Sequence, residues 1–341
     1  MNKQPLKLAF VDFWDGFHLT ETFLNFFRAH YDVSIDEDSP DVVVYSCFGT
    51  QHQRYPHALR IFFTGENVKP DFNTCDYSFG TIKIDYRNKN LWLPISELML
   101  PQYLPEIPPV APVLAKRKFC SFIYSQDTIG EGAILRRKFC ELLMNSYAHV
   151  DCPGKVLHNL DTPEISGRYG TDWDTSKRRF LSNYKFNIAF ENSAAPGYIT
   201  EKLTDAYLGN TAPIYWGSDG DTTPYPKDSM ICANDYPTLD ALIARIKEVN
   251  ENDELYLAML AANPLRQENL HKRPDLLASV PNFLKTAIDN HISEHRDTRA
   301  THFSSLHQSF EEFKRHPYVR ASMQLYRGAQ KIKHLFGMKK S

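Results

Sequence analysis

The chain has 341 residues, too many for one compact core and enough for two domains of ordinary size. Its 42% hydrophobic and 23% charged residues fall in the range of a soluble globular protein, and a formal net charge of −2 gives nucleic acid no bulk attraction. No stretch approaches the roughly 18–20 apolar residues of a membrane span. Cys47, Cys75, Cys120, Cys140, Cys152 and Cys232 show no C-x-x-C spacing and read as free, largely buried thiols of a reducing compartment. With a polar Met1–Pro5 and a strand from Leu6, no signal peptide is expected. The expectation is a cytoplasmic protein, or one at the cytoplasmic face of the inner membrane.

Leu6–Phe13 reads as a buried strand, and Thr20–Ala29 as an amphipathic helix carrying Phe23, Leu24, Phe26 and Phe27. Asp41–Cys47 and Arg60–Thr64 are short β-branched and aromatic runs, again strands. Between Leu100 and Pro112 five prolines, Pro101, Pro105, Pro108, Pro109 and Pro112, mark an extended interdomain linker. The alternation restarts with strand Lys118–Tyr124, helix Gly130–Tyr147, strand Tyr184–Phe190, helix Tyr198–Leu208 and strand Ala212–Trp216. Helices follow at Leu239–Val249, Asp253–Ala261 and Leu276–Asp289. Strands alternating with helices predict parallel sheets, so the fold class is α/β with two Rossmann-like domains facing a cleft, the GT-B kind. The boundaries expected are 1–112, 113–300 and a tail at 301–341. By pattern alone a two-domain dehydrogenase or a periplasmic binding protein fits as well.

The segment 184–217 ends a strand in Glu191-Asn192-Ser193, turns through Pro196-Gly197 and starts a helix at about Tyr198. A helix N-terminus offers unpaired N–H groups and partial positive charge, a seat for a diphosphate. Lys202 adds a full cation there, and Glu201 can accept hydrogen bonds from both hydroxyls of a ribose. The competing reading of Glu201 and Lys202 is a pair of solvated helix-face charges. The segment resembles, nearly residue for residue, the signature of the α-1,3/4-fucosyltransferases: F-x-x-x-F-E-N-S, then Y-x-T-E-K, then P-I-Y-W-G. The resemblance implies ribose binding by Glu201, diphosphate binding by Lys202, and a donor site lined by Asn192 and Tyr198. Ala194-Ala195-Pro196 departs from the family, whose bacterial members often carry Gln, Gly and Tyr there.

Arg60–Gly80 is similar to the family's T-G-E-N segment followed by D-Y-x-x-G. Glu66 ends a strand in a loop, and function in α/β folds gathers at strand C-termini. A carboxylate in a partly dry cleft has its pKa raised toward general-base work. The resemblance makes Glu66 the base for the acceptor hydroxyl; the alternative is a turn cap beside Asn67. It also implies an arginine on the diphosphate, at Arg136, with Arg137 and Lys138 one and two register steps away.

Asp172-Trp173-Asp174 has the D-x-D form of a metal site, but Asp174 equally caps a helix at Thr175–Leu181. Asp219-Gly220-Asp221 reads as a turn, and His52 and His57 as structural. From Phe313 to Ser341 there are eight Lys and Arg and no acidic residue, at near-helical spacing with apolar positions. That pattern reads either as peripheral contact with anionic membrane or as a closing helix packed on the first domain.

Taken together, the resemblance implies an inverting transferase that moves L-fucose from GDP-β-L-fucose to N-acetylglucosamine in an oligosaccharide or glycolipid acceptor. The acceptor would be an N-acetyllactosamine-type glycan (Lewis-type α-1,3-fucosylation), with no cofactor and a divalent metal at most stimulatory. The alternatives are a nucleotide-sugar-binding protein without transfer, and a transferase for another GDP-sugar. Loops such as Asp85–Leu100 are expected to decide the acceptor and the α-1,3 or α-1,4 linkage.

Overall fold

The computed structural model describes residues 3–101, 103–108, 117–165, 173–218 and 223–294. Asp172 of the D-x-D sequence, the turn at 219–221 and the basic tail at 313–341 lie outside them. Two sheets form, each parallel throughout, as the strand–helix alternation predicts.

The first sheet has the order β2-β1-β3-β4-β5-β6. Its strands are β1 (Gln4–Val11), β2 (Tyr31–Ile35), β3 (Val42–Tyr45), β4 (Leu59–Phe62), β5 (Tyr77–Gly80) and β6 (Asn90–Trp92). β3 and β4 are buried at every position, which parallel strands covered on both faces require. Helix α1 (Thr20–Arg28) covers one face with Phe23, Leu24 and Phe27. Short helix α2 (Ile95–Leu98) follows β6. Asp85–Leu100 is therefore only partly loop. It holds β6 and α2, because the apolar Leu91, Leu93, Ile95 and Leu98 all join the first core.

The second sheet has the order β11-β10-β9-β7-β8, with β7 (Lys118–Ser121), β8 (Val150–Asp151), β9 (Tyr184–Phe190), β10 (Ala212–Trp216) and β11 (Ile231–Cys232). Central β9 pairs with β10 from Phe186↔Ala212 to Phe190↔Trp216. Around it pack α3 (Glu131–Ser146), α4 (Trp173–Leu181), α5 (Glu201–Leu208), α6 (Leu239–Glu251) and α7 (Asp253–Ala261). β7 is three residues shorter than expected, since the chain beyond Ser121 leaves the ladder.

The last helix, α8 (Val280–Glu294), returns to the first sheet. Val280, Leu284, Ala287 and Ile288 share a core with Phe23 and Phe27. Tyr31 donates to Asp289 (3.3 Å), and Asn290 to Tyr77 (3.1 Å). The boundary drawn at residue 113 thus does not keep all of 113–300 on one unit: the chain crosses back. Of the proline-rich segment, Ile107 is buried in the second unit's core and Pro108 accepts from Asn210 (3.2 Å), so this part is a packed strap. All six cysteines are free, and all but Cys47 are buried.

Candidate active site

The C-terminal ends of the two sheets meet. Asn67 Nδ2, just past β4, donates to Ser193 Oγ, just past β9, at 2.7 Å. The backbone of Lys83 donates to Pro196 (2.9 Å), and the Trp92 indole to Gly197 (3.1 Å). Gly197 has φ +79, and a Cβ there would stand 2.3 Å from Trp92 Nε1, so both backbone sign and space require glycine. Ligands of open α/β sheets bind outside such strand ends.

Helix α5 starts at Glu201, three residues later than expected. The reason is Glu191, a fully buried carboxylate at the end of β9. It accepts hydrogen bonds from the backbone N–H (2.8 Å) and the hydroxyl (2.7 Å) of Thr200, which holds Thr200 extended at the N-cap. One N–H of the expected anion seat is therefore already taken. Lys202 follows in the first turn, 15% exposed, with Nζ 2.9 Å from Thr200 Oγ1 and 3.4 Å from both Glu191 and Glu201. Burial works against the lysine's charge, but Glu201 and Glu191 outweigh it and raise its pKa. Glu201 keeps about a third of its side chain exposed, at 36%. Burial raises its pKa, yet Lys202 and Lys177 win and hold it down at about 2. A carboxylate that stays ionised and reachable suits paired hydroxyl donors.

Arg136 lies on α3 and is 2% exposed. Its guanidinium donates to Asn192 Oδ1 (2.8 Å) and the Gln126 carbonyl, and sits 3.9 Å over the Tyr124 ring. Burial lowers its pKa, without threatening a guanidinium's charge. Arg137 points away, exposed and paired with Asp127 (2.8 Å) and Glu141 (3.1 Å), and Lys138 is exposed too. Of the three, only Arg136 is buried and turned toward Asn192. Gly132 lets α3 approach, since a Cβ there would lie 2.2 Å from the Glu191 carbonyl and 2.4 Å from Trp216. Tyr198 is buried, and Glu191, Lys202 and Glu66 all act on its hydroxyl electrostatically.

Glu66 stands on the opposing loop. Its backbone N–H donates to Thr64 Oγ1 (3.1 Å) and its carbonyl accepts from Thr81 (3.3 Å), which fixes the loop. The side chain is exposed. The partly dry setting expected for Glu66 is not seen, since the residue is exposed. His52 is structural, as read: its Nδ1 meets Asp12 Oδ2 at 2.6 Å and its ring stacks on Tyr45. Asp174 falls in the first turn of α4 rather than at a cap before Thr175, because the helix begins at Trp173.

Two consecutive family profiles match this architecture: "Alpha-(1,3)-fucosyltransferase FucT N-terminal domain" over residues 8–99 and "Glycosyltransferase family 10 (fucosyltransferase) C-term" over 114–262. The chain belongs to the family 10 fucosyltransferases. It is 29% identical over 304 residues to an α-(1,3)-fucosyltransferase FucT of Helicobacter pylori, covering 76% of this chain and 60% of that protein. A putative fucosyltransferase of Acanthamoeba polyphaga mimivirus is 26% identical over 249 residues, covering 72% of this chain and 40% of its own length. The chain thus spans about half the length of these curated relatives. A crystal structure of an α1,3-fucosyltransferase with GDP-fucose superposes with TM-score 0.65 at 25% identity, covering 85% of this chain and 92% of that one. Another α1,3-fucosyltransferase structure gives 0.66 at 26%, covering 84% and 91%. The family's GT-B arrangement is the one seen here.

Within this family member, all six sequence-derived candidates lie at the junction of the strand ends. Arg136, Asn192, Tyr198, Glu201 and Lys202 form one cluster, and Glu66 faces it from the other unit. Sequence reasoning missed Glu191, Thr200 and Tyr124. Glu191 stands inside the F-E-N-S signature itself; a carboxylate ending a buried strand nine residues before a helix-capping threonine was the available signal. Among the described residues no group of three or more His, Cys, Asp or Glu is placed to hold a metal ion.

Proposed function

We propose that this chain transfers L-fucose from GDP-β-L-fucose to a hydroxyl of N-acetylglucosamine in an N-acetyllactosamine-type glycan, with α-1,3 linkage and inversion. The observation that carries the reading is the Asn67–Ser193 hydrogen bond, which sets the Glu66 loop directly against the donor-type cluster. Two such segments are needed at one place if a base and an activated sugar are to react. The H. pylori relative, by name an α-(1,3)-fucosyltransferase, and the solved α1,3-fucosyltransferase with GDP-fucose support this choice of sugar and linkage.

In this reading Glu201 accepts from the ribose hydroxyls while Lys202 and Arg136 face the diphosphate. Glu66 takes the proton of the acceptor hydroxyl as that oxygen attacks the anomeric carbon. The bond from carbon to diphosphate oxygen breaks, and the electron pair leaves with GDP. Attack from the face opposite the β leaving group yields the α-fucoside. The two cations stabilise the charge that grows on the leaving group, without requiring a metal. Phe48, 49% exposed and edge-on to Trp14 at 5.9 Å, offers an aromatic face beside the first unit's strand ends, of the kind that suits the C–H face of a sugar.

Glu66→Gln separates transfer from mere nucleotide-sugar binding. It should keep GDP affinity, measured calorimetrically, while transfer falls by about 10²–10⁴. Near wild-type transfer would remove Glu66 from the mechanism.

A further inference from the structure

Glu191 has no part in the mechanism above, yet it is the most deeply buried charge of the site. Lys202 and Glu201 face it from α5, Tyr198 from the preceding turn, Tyr215 from β10, Tyr124 from beyond β7 and Arg136 from α3. Its two oxygens have different surroundings. Oε1 accepts the Thr200 N–H, whereas Oε2 accepts the Thr200 hydroxyl and lies 3.4 Å from Lys202 Nζ. Thr200 Oγ1 is therefore a relay: it receives a hydrogen bond from Lys202 (2.9 Å) and passes one to Glu191.

A diphosphate brought to Lys202 and Arg136 upsets this balance. It draws the ammonium from Thr200 and puts further negative charge beside a dry carboxylate, the arrangement that most favours protonation. Glu201, partly exposed and strongly acidic, stays ionised. Once Lys202 turns away, Thr200 Oγ1 has a free lone pair, and a proton on Glu191 Oε2 can be donated to it. We propose that Glu191 is a positioning residue: as a carboxylate it holds Lys202 and the α5 cap in the empty enzyme, and it takes up one solvent proton when the nucleotide diphosphate binds. No heavy-atom bond changes; the solvent proton ends on Oε2. Burial already raises the pKa of Glu191, with Lys202 opposing, which puts the carboxylate closer to protonation before any donor arrives. The inference rests on the donor reading above.

The sign follows from linkage. If binding takes up protons, affinity rises as pH falls, by at most about tenfold per pH unit for one proton. GDP-fucose without acceptor is the probe, because its doubly esterified diphosphate does not titrate in the neutral range, unlike the terminal phosphate of GDP. Calorimetry near pH 6.5 in two buffers of different ionisation enthalpy should show uptake approaching about one proton per donor bound. Glu191→Gln should abolish the uptake and flatten the pH dependence of affinity. Glu191→Asp, still titratable, should keep part of both, and Thr200→Val, lacking the relay hydroxyl, should reduce the uptake. Zero proton change in the wild type, or equal uptake in Glu191→Gln, would overturn the proposal while leaving the donor site intact. If Glu191→Gln does not fold, undiminished uptake in Thr200→Val overturns it instead. No GDP-fucose binding by the wild type overturns the donor reading itself.

Discussion

At the scale of single residues, the site depends on how closely side chains and backbone approach. Gly132 sits where α3 touches the backbone of Glu191 and Asn192, with its N–H 3.0 Å from the Asn192 carbonyl. One turn later on the same helix, Arg136 reaches Asn192 Oδ1. A methyl group at 132 would fall far inside contact distance of backbone and of Trp216, neither of which can swing aside. Gly132→Ala should therefore push α3 outward, lower stability by about 1–3 kcal/mol and weaken GDP binding by displacing Arg136. Thermal melts with and without GDP check both effects; an unchanged GDP-induced shift would mean that Arg136 does not bear on the diphosphate.

At the scale of elements, α5 is held from two sides. Glu191 caps its start, and Asp205 on its buried face accepts from Lys177 of α4 at 2.7 Å, with Arg178 at 3.7 Å. Lys177 and Asp205 are 12% and 6% exposed, so removing the lysine leaves a carboxylate with little solvent. Lys177→Met should cost about 3 kcal/mol in urea unfolding; a loss below 1 kcal/mol would show that Arg178 alone suffices. Strand runs were legible because buried parallel strands are rich in apolar and aromatic residues: Tyr184–Phe190, despite Lys185 and Asn187, and Ala212–Trp216 are met residue for residue. The start of α5 was not legible. Thr200 is a favoured N-cap type, but Tyr198 and Ile199 do not oppose an earlier start, and a carboxylate nine positions away decides the boundary. The strand and helix within Asp85–Leu100 escaped for a related reason. β6 is three residues long and half-buried, and β6 and α2 owe their place to packing on the first core and, through Trp92, on the Gly197 turn.

At the scale of the whole molecule, two parallel sheets present their C-terminal ends to each other, and the chain returns through α8 to close on the first. Buried Glu97, 2% exposed, accepts from Tyr225 of the second unit at 2.8 Å and pairs with Arg273 on the return path, so one carboxylate ties three segments beside the junction. This tie and the Asn67–Ser193 bridge fix where the Glu66 loop stands relative to the cluster of Arg136, Glu201 and Lys202. Strand–helix alternation restarting after the prolines of 101–112 announced the two units; the crossing back of α8 could not be read, because an amphipathic helix does not declare which core it will cover. The most direct test is to incubate the protein with GDP-fucose and N-acetyllactosamine in EDTA and map the product. An α-fucoside on O3 of N-acetylglucosamine is the predicted outcome. A β-fucoside, or transfer only after manganese is restored, would contradict the inverting, cation-assisted mechanism; donor binding with no transfer to any such glycan would contradict the enzyme itself.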